Sequence, residues 1–491
     1  MEKPLIHKVF YRLAGVESVI SRNVAKRGSQ CCSQEAIKYH KFWQDDLEEN
    51  LTALGLRDKL NRFDHHLAHS AAAYFASGLE RALIVTLDGY GSGLAGSVCV
   101  GEGARIHRIH KLEYSHSLGT FYESVTSSLG FKPSRHEGKI VGLAAYGDPE
   151  ILLDTVLSRF DQEPGNFRIR ESNNIYLLFK VSGHVISQNR CCGCLPTSIG
   201  SRCYQLRPAL CATNGNRRRR FCPGGAANVK LNQRIFEIPE VNHIFIYPNM
   251  GDGGCGTGVA FLANRENIQN REAYQNVYFG PAYNDEAIVQ ELQTAGLAFK
   301  QITPIEPMIA QLIHDGKVVA RFNGRMEYGP RALGNRSILY RSTEPEVNQW
   351  LNQRLGRTEF MPFAPATLFE ERHRCYDNIK GAEHASQFMT ITFNCTDFMK
   401  CNCPAAVHVD GTARPQLVLE EVNPSFFRIV REYYQLGGIP SIINTSFNMH
   451  EEPIVNSPAD AVRAFLQGNL DYLAIGNLLV RHPMQARGGA R

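Results

Sequence analysis

Two histidines four residues apart carry the first indication of chemistry. His65 and His69 lie in "FDHHLAHSAAAYF", and Asp64 precedes them as a candidate N-cap of a helix that starts at His65. Residues at i and i+4 share one helix face, so both imidazoles can reach one metal ion, while His66 would point off that face. Two ordinary surface histidines on a helix are the alternative.

Two aspartates extend this candidate metal site. Asp88 follows the apolar run in "RALIVTLDGYGSG", and Asp252 follows a second apolar run in "HIFIYPNMGDGG". Both patterns predict a buried strand that ends in a tight glycine-rich loop, where carboxylates bind cations or phosphates. Two histidines and two aspartates form a mixed donor set that suits Fe(II), Mn(II) or Zn(II) better than Ca(II).

A cluster of arginines predicts an anion site. Arg325, Arg331 and Arg336 lie in "GRMEYGPRALGNRSIL", with glycine or proline between them. The planar guanidinium matches phosphate oxygens two at a time, so the cluster suits a small substrate that carries a phosphate. A solvated loop held by salt bridges to Glu327 is the alternative.

Further donors follow along the chain. "DGTARPQ" contributes Arg414, and "NTSFN" contributes Ser446 with Asn444 and Asn448 after a buried strand. Hydroxyl and amide groups at such a strand end could complete an anion pocket. Ser446 is not expected to be a nucleophile, because no Gly-x-Ser-x-Gly elbow surrounds it.

Two glycine-rich stretches indicate a nucleotide site. "RHEGKIVGLAAYG" and "GGAANVKLN" each place glycine beside a polar residue where a loop is expected to enter a helix. Main-chain amides at such junctions can cradle phosphates, and Lys139 would add a positive charge. Either stretch alone is compatible with an ordinary turn, but both accompany the two Asp-Gly loops.

The elements that must position these residues follow an α/β pattern. Four apolar runs lead into polar loops, and helical patterns fall between them. The clearest helix is "NSPADAVRAFL", with Ser457 as N-cap, Pro458 at the first position, and Val462, Phe465 and Leu466 on one face. A chain of 491 residues is expected to form two or three domains.

Composition excludes several classes of protein. The net charge of +5 is small for 491 residues, which argues against general binding of polyanions. No apolar run is long enough for a membrane span. The apolar stretch in the opening "MEKPLIHKVFYRLAG" is too short for a secretory signal. The 14 cysteines lack paired CxxC spacing, so we expect reduced thiols in a cytoplasmic enzyme. No GxGxxG follows a first strand, which disfavours a Rossmann oxidoreductase.

The segment 184–222 does not fit the α/β pattern. It has no helix or strand period, and it holds six cysteines and the run Arg217–Arg220. A metal module and a nucleic-acid or nuclear-import patch are alternatives, although the cysteine spacing supports no known metal motif. We favour the hypothesis that the segment is out-of-frame or badly drifted sequence.

The ordered set of motifs resembles one family. "DHHLAH", "LDGYG", "EGKIVGLAAYG", "GGAANVKLN", "GDGG", "GRMEYGPRALGNRSIL", "PFAPA", "HVDGTARPQ" and "NTSFNMHEEPIV" occur in this order. Together they closely resemble the O-carbamoyltransferases of the nodulation-protein-U and cephalosporin or aminoglycoside carbamoylation type. The resemblance covers about 60–183 and 223–480.

The resemblance implies a fold and a reaction. It implies an actin-like ATPase (ASKHA) module over 1–300 and a YrdC-like α/β module over 301–491. The second module would cleave carbamoyl phosphate and form carbamoyl-adenylate from ATP, with Mg(II). The first module, with an Fe(II) or other divalent metal site, would pass the carbamoyl group to a hydroxyl of a sugar, glycan or natural product.

The resemblance also assigns residues to roles. The implied metal ligands are His65, His69, Asp88 and Asp252. The implied nucleotide and cofactor contacts are Lys139, Gly224, Gly225, Asn228, Arg325 and Arg336. The implied catalytic pocket for carbamoyl phosphate consists of Arg331, Arg414 and Ser446.

The chain departs from the family pattern in two further places. The family has a lysine ahead of "PFAP" and an arginine just before it, where this chain has Gly356 and Met361. Arg354 or Arg357 could substitute. The family's opening hairpin with a His-Asp-Ser motif has no counterpart in "MEKPLIHKVFYRLAG", so the first lobe is expected to be incomplete.

Two other functions stay open at this point. One is a tRNA-modifying relative that transfers a threonylcarbamoyl group, and the other is a non-catalytic remnant that still folds as a binding module. We expect no membrane and no nucleic-acid partner, and the resemblance allows a homodimer. The sequence does not identify the acceptor.

Overall fold

The computed structural model describes residues 41–147, 219–224, 227–268, 272–357 and 362–486. Gly225, Met361 and the opening residues discussed above lie outside these ranges. The described strands are β1 Arg81–Gly91, β2 Leu94–Glu102, β3 Arg105–Glu113, β4 Arg219–Gly224, β5 Val241–Ile244, β6 Phe299–Gln301, β7 Val319–Phe322, β8 Arg336–Arg341, β9 Ala364–Leu368, β10 Phe393–Asn394, β11 Thr412–Ala413, β12 Gln416–Val418, β13 Ser441–Ser446, β14 Tyr472–Ile475 and β15 Leu478–Arg481.

Helices pack around these strands, so the fold is mixed α/β. The described helices are α1 His65–Phe75, α2 Leu118–Ser128, α3 Glu137–Ala144, α4 Val229–Phe236, α5 Cys255–Ala263, α6 Asp285–Thr294, α7 Glu306–His314, α8 Val347–Arg354, α9 Arg372–Cys375, α10 Glu383–Ser386, α11 Asp397–Asn402, α12 Pro424–Gly437, α13 Pro458–Gln467 and α14 Pro483–Ala486. Residues 41–53 are also helical. Within the described ranges no helix combines the length and the apolar character that crossing a bilayer requires.

The first sheet has five strands in the order β3-β2-β1-β4-β5. β1, β2 and β3 form an antiparallel meander, while β4 and β5 run parallel to β1. Strand β4 includes residues 219–222, which the sequence analysis placed in the anomalous segment. That placement was wrong for these four residues, since Phe221 and Cys222 are buried in the sheet. The rest of the segment, 184–218, lies outside the described residues.

The second sheet has eight strands in the order β12-β9-β13-β8-β7-β14-β15-β6. Most neighbours are antiparallel, but β12 runs parallel to β9, and β14 runs parallel to β7. Helix α6 buries Ile288 and Leu292 in the core of this sheet. The second structural unit therefore begins before the predicted boundary at residue 301.

The two units share a hydrophobic core. Residues that follow β9, such as Tyr376 and Phe393, pack in one cluster with Val85 and Ile244 of the first sheet. The main-chain N–H of Ile244 also donates to the carbonyl oxygen of Gly381, at 3.0 Å. Side chains from both units can therefore line the same cavities.

The best-marked helix of the sequence analysis is present as α13. Ser457 accepts a hydrogen bond from the N–H of Asp460 and Pro458 is the first helical residue, which confirms the predicted cap. Val462 and Phe465 are buried. Leu466, which shares their face by its spacing, is exposed.

Candidate active site

Helix α1 begins at His65 and carries both predicted histidines near its N-terminal end. Asp64 is the N-cap, and its side chain accepts a hydrogen bond from the N–H of Leu67 at 2.8 Å, while Arg108 donates to the same carboxylate. His65 and His69 share one face, and their Nε2 atoms are 3.1 Å apart. His66 is buried on another face, where its Nδ1 lies 3.2 Å from Thr86 Oγ1. The predicted cap and the predicted direction of all three histidines are confirmed.

Both predicted aspartates reach the histidine pair. Asp88 Oδ2 lies 2.7 Å from Nε2 of His65 and 3.8 Å from Nε2 of His69. Asp252 Oδ1 lies 3.7 Å and 3.4 Å from the same two nitrogens. We call these four residues the metal cluster. The first and the last of them, His65 and Asp252, are 187 positions apart in the chain, yet the fold gathers all four at one point.

Cys255 is a neighbour that the sequence analysis missed. Its Sγ lies 3.4 Å from Nε2 of His69 and 4.0 Å from Nδ1 of His65. Burial acts to raise the pKa of this thiol, but hydrogen bonds with the two histidines outweigh burial and lower the pKa to about 7. The available indication was its position three residues after Asp252, at the end of the short 3-10 turn that leads into α5.

Close contact between two helices brings these donors together. Gly258 of α5 lies against α1 so tightly that a Cβ atom there would be 1.9 Å from the carbonyl oxygen of Ala68. Cys255 is one turn before Gly258, and His69 is the residue after Ala68, so this crossing places thiol and imidazole side by side. Gly91 similarly leaves room for the His65 ring, which a Cβ would meet at 2.1 Å.

The metal cluster opens into a cavity of about 690 Å³, which we call the large cavity. Asp88 and Asp252 line it, and so does Asn228. Asn228 also caps α4 by accepting from the N–H groups of Lys230 and Leu231, and its amide nitrogen lies 3.3 Å from the hydroxyl of Tyr122. Since Asn228 was predicted to contact the nucleotide and lines the large cavity, this cavity corresponds best to the predicted nucleotide site.

The other predicted nucleotide contacts are placed differently. Lys139 is buried on α3 and is not among the residues that line the large cavity, although Glu137 and Gly138 are. Gly224 is buried at the end of β4, where a Cβ would come within 3.0 Å of the carbonyl oxygen of His69. Gly224 thus allows β4 to approach α1. Gly225 lies outside the described residues.

Arg331, Arg414 and Ser446 line a second cavity of about 290 Å³, which we call the arginine cavity. The structure therefore brings together the three residues that were predicted to bind carbamoyl phosphate. Asn444 and Asn448 line it as well. Arg331 also lines the large cavity, so one side chain belongs to both walls.

The two cavity arginines lack compensation for their charge. The Nε atom of each is buried, and neither has a hydrogen-bond partner within the described part of the chain. Burial lowers the pKa of Arg331 to about 10. Burial, together with the positive charge of Arg331, lowers the pKa of Arg414 well below its ordinary value. An isolated buried cation is costly, so this arrangement favours an anionic ligand.

Of the two arginines predicted as possible substitutes near "PFAP", Arg357 lies at the arginine cavity and Arg354 does not. It lines the arginine cavity and donates to the carbonyl oxygen of Ser446 at 2.7 Å and to Oδ1 of Asn448 at 2.7 Å. Arg354 instead lies over the ring of Trp350 and 3.6 Å from Asp471. Arg357 is therefore the candidate substitute that is close enough to contact a ligand in the arginine cavity.

Arg325 and Arg336, which were predicted as nucleotide and cofactor contacts, are not among the residues that line the arginine cavity or the large cavity. Arg325 is exposed and donates to the carbonyl oxygens of Phe279 and Gly280. Arg336 is buried over the ring of Phe322 and donates to main-chain carbonyls of the same loop region. Both side chains hold the backbone instead.

Glu327 shapes the loop that carries Arg331. Its Oε1 accepts hydrogen bonds from the N–H groups of Leu333 at 2.7 Å, Asn335 at 2.8 Å and Arg336 at 3.2 Å. Within the described ranges it forms no ion pair with an arginine. The alternative of a solvated salt-bridge loop is therefore wrong, because the loop is folded around a buried carboxylate.

A third cavity, of about 250 Å³, adjoins the arginine cavity and shares Arg414 with it. Lys230 and Asp410 line it and pair at 2.6 Å. Asp410 also accepts from the hydroxyl of Thr412. The ion pair joins α4 of the first unit to the loop before β11, so it contributes to the alignment of the two units.

Comparison with known proteins agrees with this geometry. Residues 30–188 match the family model described as Carbamoyltransferase N-terminus, and residues 310–482 match that described as Carbamoyltransferase C-terminus. Nodulation protein NolO of Bradyrhizobium diazoefficiens is 30% identical over 85% of this chain and 78% of its own length. An uncharacterized protein of Methanocaldococcus jannaschii is 32% identical over 87% of this chain and 84% of its own length.

A solved structure of full-length HypF, in the phosphate- and nucleotide-bound form, matches 38% of this chain and 22% of its own, at 17% identity and a TM-score of 0.26. The family assignment rests on the sequence matches alone. Both family models match in chain order, and the match to NolO covers most of both proteins. The chain therefore belongs to the carbamoyltransferase family that includes the nodulation proteins NolO and U, and it is a carbamoyltransferase enzyme.

Proposed function

We propose that the protein is an ATP-dependent O-carbamoyltransferase. It forms carbamoyl-adenylate from carbamoyl phosphate and ATP, and it transfers the carbamoyl group to a hydroxyl of a sugar, glycan or natural-product acceptor. The observation that carries this proposal is the pair Arg331 and Arg414, which line one cavity with buried Nε atoms that lack partners among the described residues.

The arginine cavity suits carbamoyl phosphate. This substrate is small and doubly charged, so it needs several fixed donors in place of water. Arg331 and Arg414 supply guanidinium N–H groups, and Ser446 supplies a hydroxyl beside them. Water attacks carbamoyl phosphate to release inorganic phosphate and carbamate. A carbamate oxygen then attacks the α-phosphorus of ATP, and pyrophosphate leaves.

The large cavity suits the transfer step. Arg331 lines both cavities. The adenylate formed in the arginine cavity would therefore pass this side chain to enter the large cavity. There the acceptor oxygen attacks the carbamoyl carbon, AMP leaves, and the hydroxyl proton passes to a base. Glu123 and Glu137 line this cavity outside the metal cluster and are the candidate proton acceptors.

The metal cluster fits a divalent ion. Each of the two carboxylates lies 2.7–3.8 Å from both imidazole Nε2 atoms, and this mixed donor set suits Fe(II), Zn(II) or Mn(II). When bound, such an ion would polarise the carbamoyl carbonyl or lower the pKa of the acceptor hydroxyl. Mg(II) is expected to accompany ATP separately.

The proposal extends to the two structural units and to the location of the protein. We assign the first sheet to an actin-like ATPase module and the second to a YrdC-like module. We also infer a cytoplasmic location, supported by the free thiol state of every described cysteine.

The test is pyrophosphate release from purified full-length protein under anaerobic Fe(II). ATP is supplied with and without carbamoyl phosphate, and Arg331→Ala is compared with Arg325→Ala as a matched control. We expect release only with carbamoyl phosphate, a loss of about 100-fold or more in Arg331→Ala, and no comparable loss in Arg325→Ala. A folded parent protein that releases no pyrophosphate would support the alternative of a non-catalytic remnant.

A further inference from the structure

Cys255 is the donor in this region that the proposed function does not use. Its thiol belongs to a group of four, with His65, His69 and Asp252, whose candidate ligand atoms all lie within 4.8 Å of one another. In the described part of the chain, this group brings candidate nitrogen, oxygen and sulfur ligands together at one place. The inference rests on the metal cluster of the proposed function and adds a ligand to it.

The separations match those of donors around one ion. With bonds of about 2.0–2.3 Å, neighbouring donors of a tetrahedral site lie about 3.3–3.8 Å apart. His69 Nε2 is 3.4 Å from Asp252 Oδ1 and 3.4 Å from Cys255 Sγ. His65 Nε2 is 3.7 Å from Asp252 Oδ1, within this range, and 3.1 Å from His69 Nε2, slightly below it. Cys255 Sγ lies 4.0 Å from the other ring nitrogen of His65, Nδ1, slightly above it. The thiol therefore stands at the distance of a ligand from His69.

Asp88 occupies a different position relative to His65. Its Oδ2 is 2.7 Å from Nε2 of His65, which is a hydrogen-bond distance, and its Oδ1 accepts from the N–H of Gly89 at 2.6 Å. Asp88 does not belong to the group of four that includes Cys255. The Asp88 carboxylate thus lies nearer to His65, whereas the Cys255 sulfur lies nearer to His69.

The fold holds Cys255 in this position. It is the first residue of α5, and the close approach of Gly258 to Ala68 fixes that helix against α1. Movement of the Cys255 backbone away from His69 would require α5 to shift against a packed helix. This rigidity is what a ligand of a metal site needs.

We propose that Cys255 is a thiolate ligand of the metal bound at this cluster, and that it directs the site toward borderline-soft ions such as Fe(II) or Zn(II). Binding replaces the S–H proton with a metal–sulfur bond and releases that proton to solvent. Thiolates favour such ions, whereas Mg(II) and Ca(II) favour oxygen donors alone. The site is thereby distinguished from the Mg(II) that accompanies ATP.

The test is anaerobic Co(II) titration of the full-length protein, followed by absorption. Parent protein and Cys401→Ser, which removes an exposed thiol outside the cluster, are expected to show a near-ultraviolet thiolate-to-cobalt charge-transfer band. Cys255→Ser is expected to lose that band, keep the visible d–d bands, and bind Co(II) at least about tenfold more weakly, as loss of even an outer partner can do. A band that persists in Cys255→Ser overturns the proposal.

A second measurement needs no variant. Alkylation of each cysteine is followed by peptide mass mapping with Zn(II), with Mg(II) or with neither. Zn(II) is expected to slow modification of Cys255 but not of Cys401, and Mg(II) to protect neither. Equal reactivity of Cys255 with and without Zn(II) overturns the proposal.

The outcomes also separate this inference from the proposed function. Visible cobalt bands without a charge-transfer band would mean that the cluster binds metal and Cys255 is not a ligand. No cobalt spectrum at all would refute both the metal cluster and the thiolate. Carbamoyl-adenylate formation is judged independently by pyrophosphate release at the arginine cavity.

Discussion

Arg331 and Arg414 line one cavity, and the positive charge of each makes the charged form of the other less favourable. The Nε atom of each is buried without a hydrogen-bond partner within the described ranges, and the charge of Arg331 helps to lower the pKa of Arg414. Two neighbouring like charges with buried, unpaired nitrogens destabilise a protein unless a ligand neutralises them. The pair therefore links stability to anion binding.

We expect Arg414→Met to leave the ligand-free protein at least as stable as the parent, with a gain on the order of 1 kcal/mol. Phosphate at about 100 times its Kd should stabilise the parent by about 2.7 kcal/mol and the variant by much less. Thermal unfolding with and without phosphate measures both effects. Arg325→Met is the control, and an unchanged phosphate response in Arg414→Met would contradict the assignment.

Arg357 and Arg354 should differ sharply when each is changed to alanine. Arg357 holds the loop after β13 through Ser446 and Asn448, whereas Arg354 packs on Trp350. Loss of the charge-assisted bonds of Arg357 should cost about 2 kcal/mol of unfolding free energy. It should also raise the KM for carbamoyl phosphate. Urea unfolding and pyrophosphate kinetics measure these changes, and a KM effect confined to Arg354→Ala would reverse the assignment.

Variants of the metal cluster should separate the two half-reactions. His69 lies in the metal cluster, while the arginine cavity has its own donors. We expect His69→Ala to abolish transfer to an acceptor and to retain pyrophosphate release that depends on carbamoyl phosphate. His110→Ala, an exposed histidine on β3, is the control. Equal loss of both half-reactions in a folded His69→Ala protein would argue against separate sites.

The caps of α1 and α13 form a matched pair for a test of positioning. Asp64 caps the helix that carries both metal-cluster histidines, whereas Ser457 caps a helix that contributes no residue to the metal cluster. Each change to alanine should cost about 1 kcal/mol of stability. Only Asp64→Ala should also weaken Co(II) binding, because only its helix orients His65 and His69. Equal metal affinity in the two variants would show that packing alone positions α1.

The environment of Asp410 predicts that the folded protein loses stability at acid pH. Burial acts to raise the pKa of this carboxyl, but hydrogen bonds from His408, Lys230 and Thr412 and the charge of Lys230 outweigh burial and hold its pKa far below the ordinary value. A lowered pKa contributes stability that is fully present above the unfolded value of about 3.9 and is lost as pH falls toward the folded value.

The measurement for Asp410 is the urea midpoint of the parent and of Asp410→Asn between pH 7 and pH 3. The difference between them should be constant above about pH 5 and shrink below it. Asp397→Asn removes an exposed carboxylate beside Lys400 and should show little difference at any pH. A difference for Asp410→Asn that grows toward low pH would contradict the sign of this argument.

Much of the site was readable from local sequence. The i,i+4 spacing of His65 and His69 after a capping Asp64 determines their shared helix face, because helix geometry depends only on neighbours along the chain. Asp88 and Asp252 were recognisable because each follows an apolar run and lies among glycines. The resemblance to carbamoyltransferases supplied the grouping of Arg331, Arg414 and Ser446, and the structure places them around one cavity.

Tertiary structure decided which neighbours complete each group. Cys255 joins the histidines because α1 and α5 cross where Gly258 meets Ala68, and no spacing along the chain encodes a crossing between segments so far apart. Arg325 and Arg336 looked equivalent to Arg331 in sequence, but hydrogen bonds to main-chain carbonyls turn them away from the cavity. Local pattern therefore determined which residue types could do chemistry, whereas packing between distant elements decided which of them face a common space.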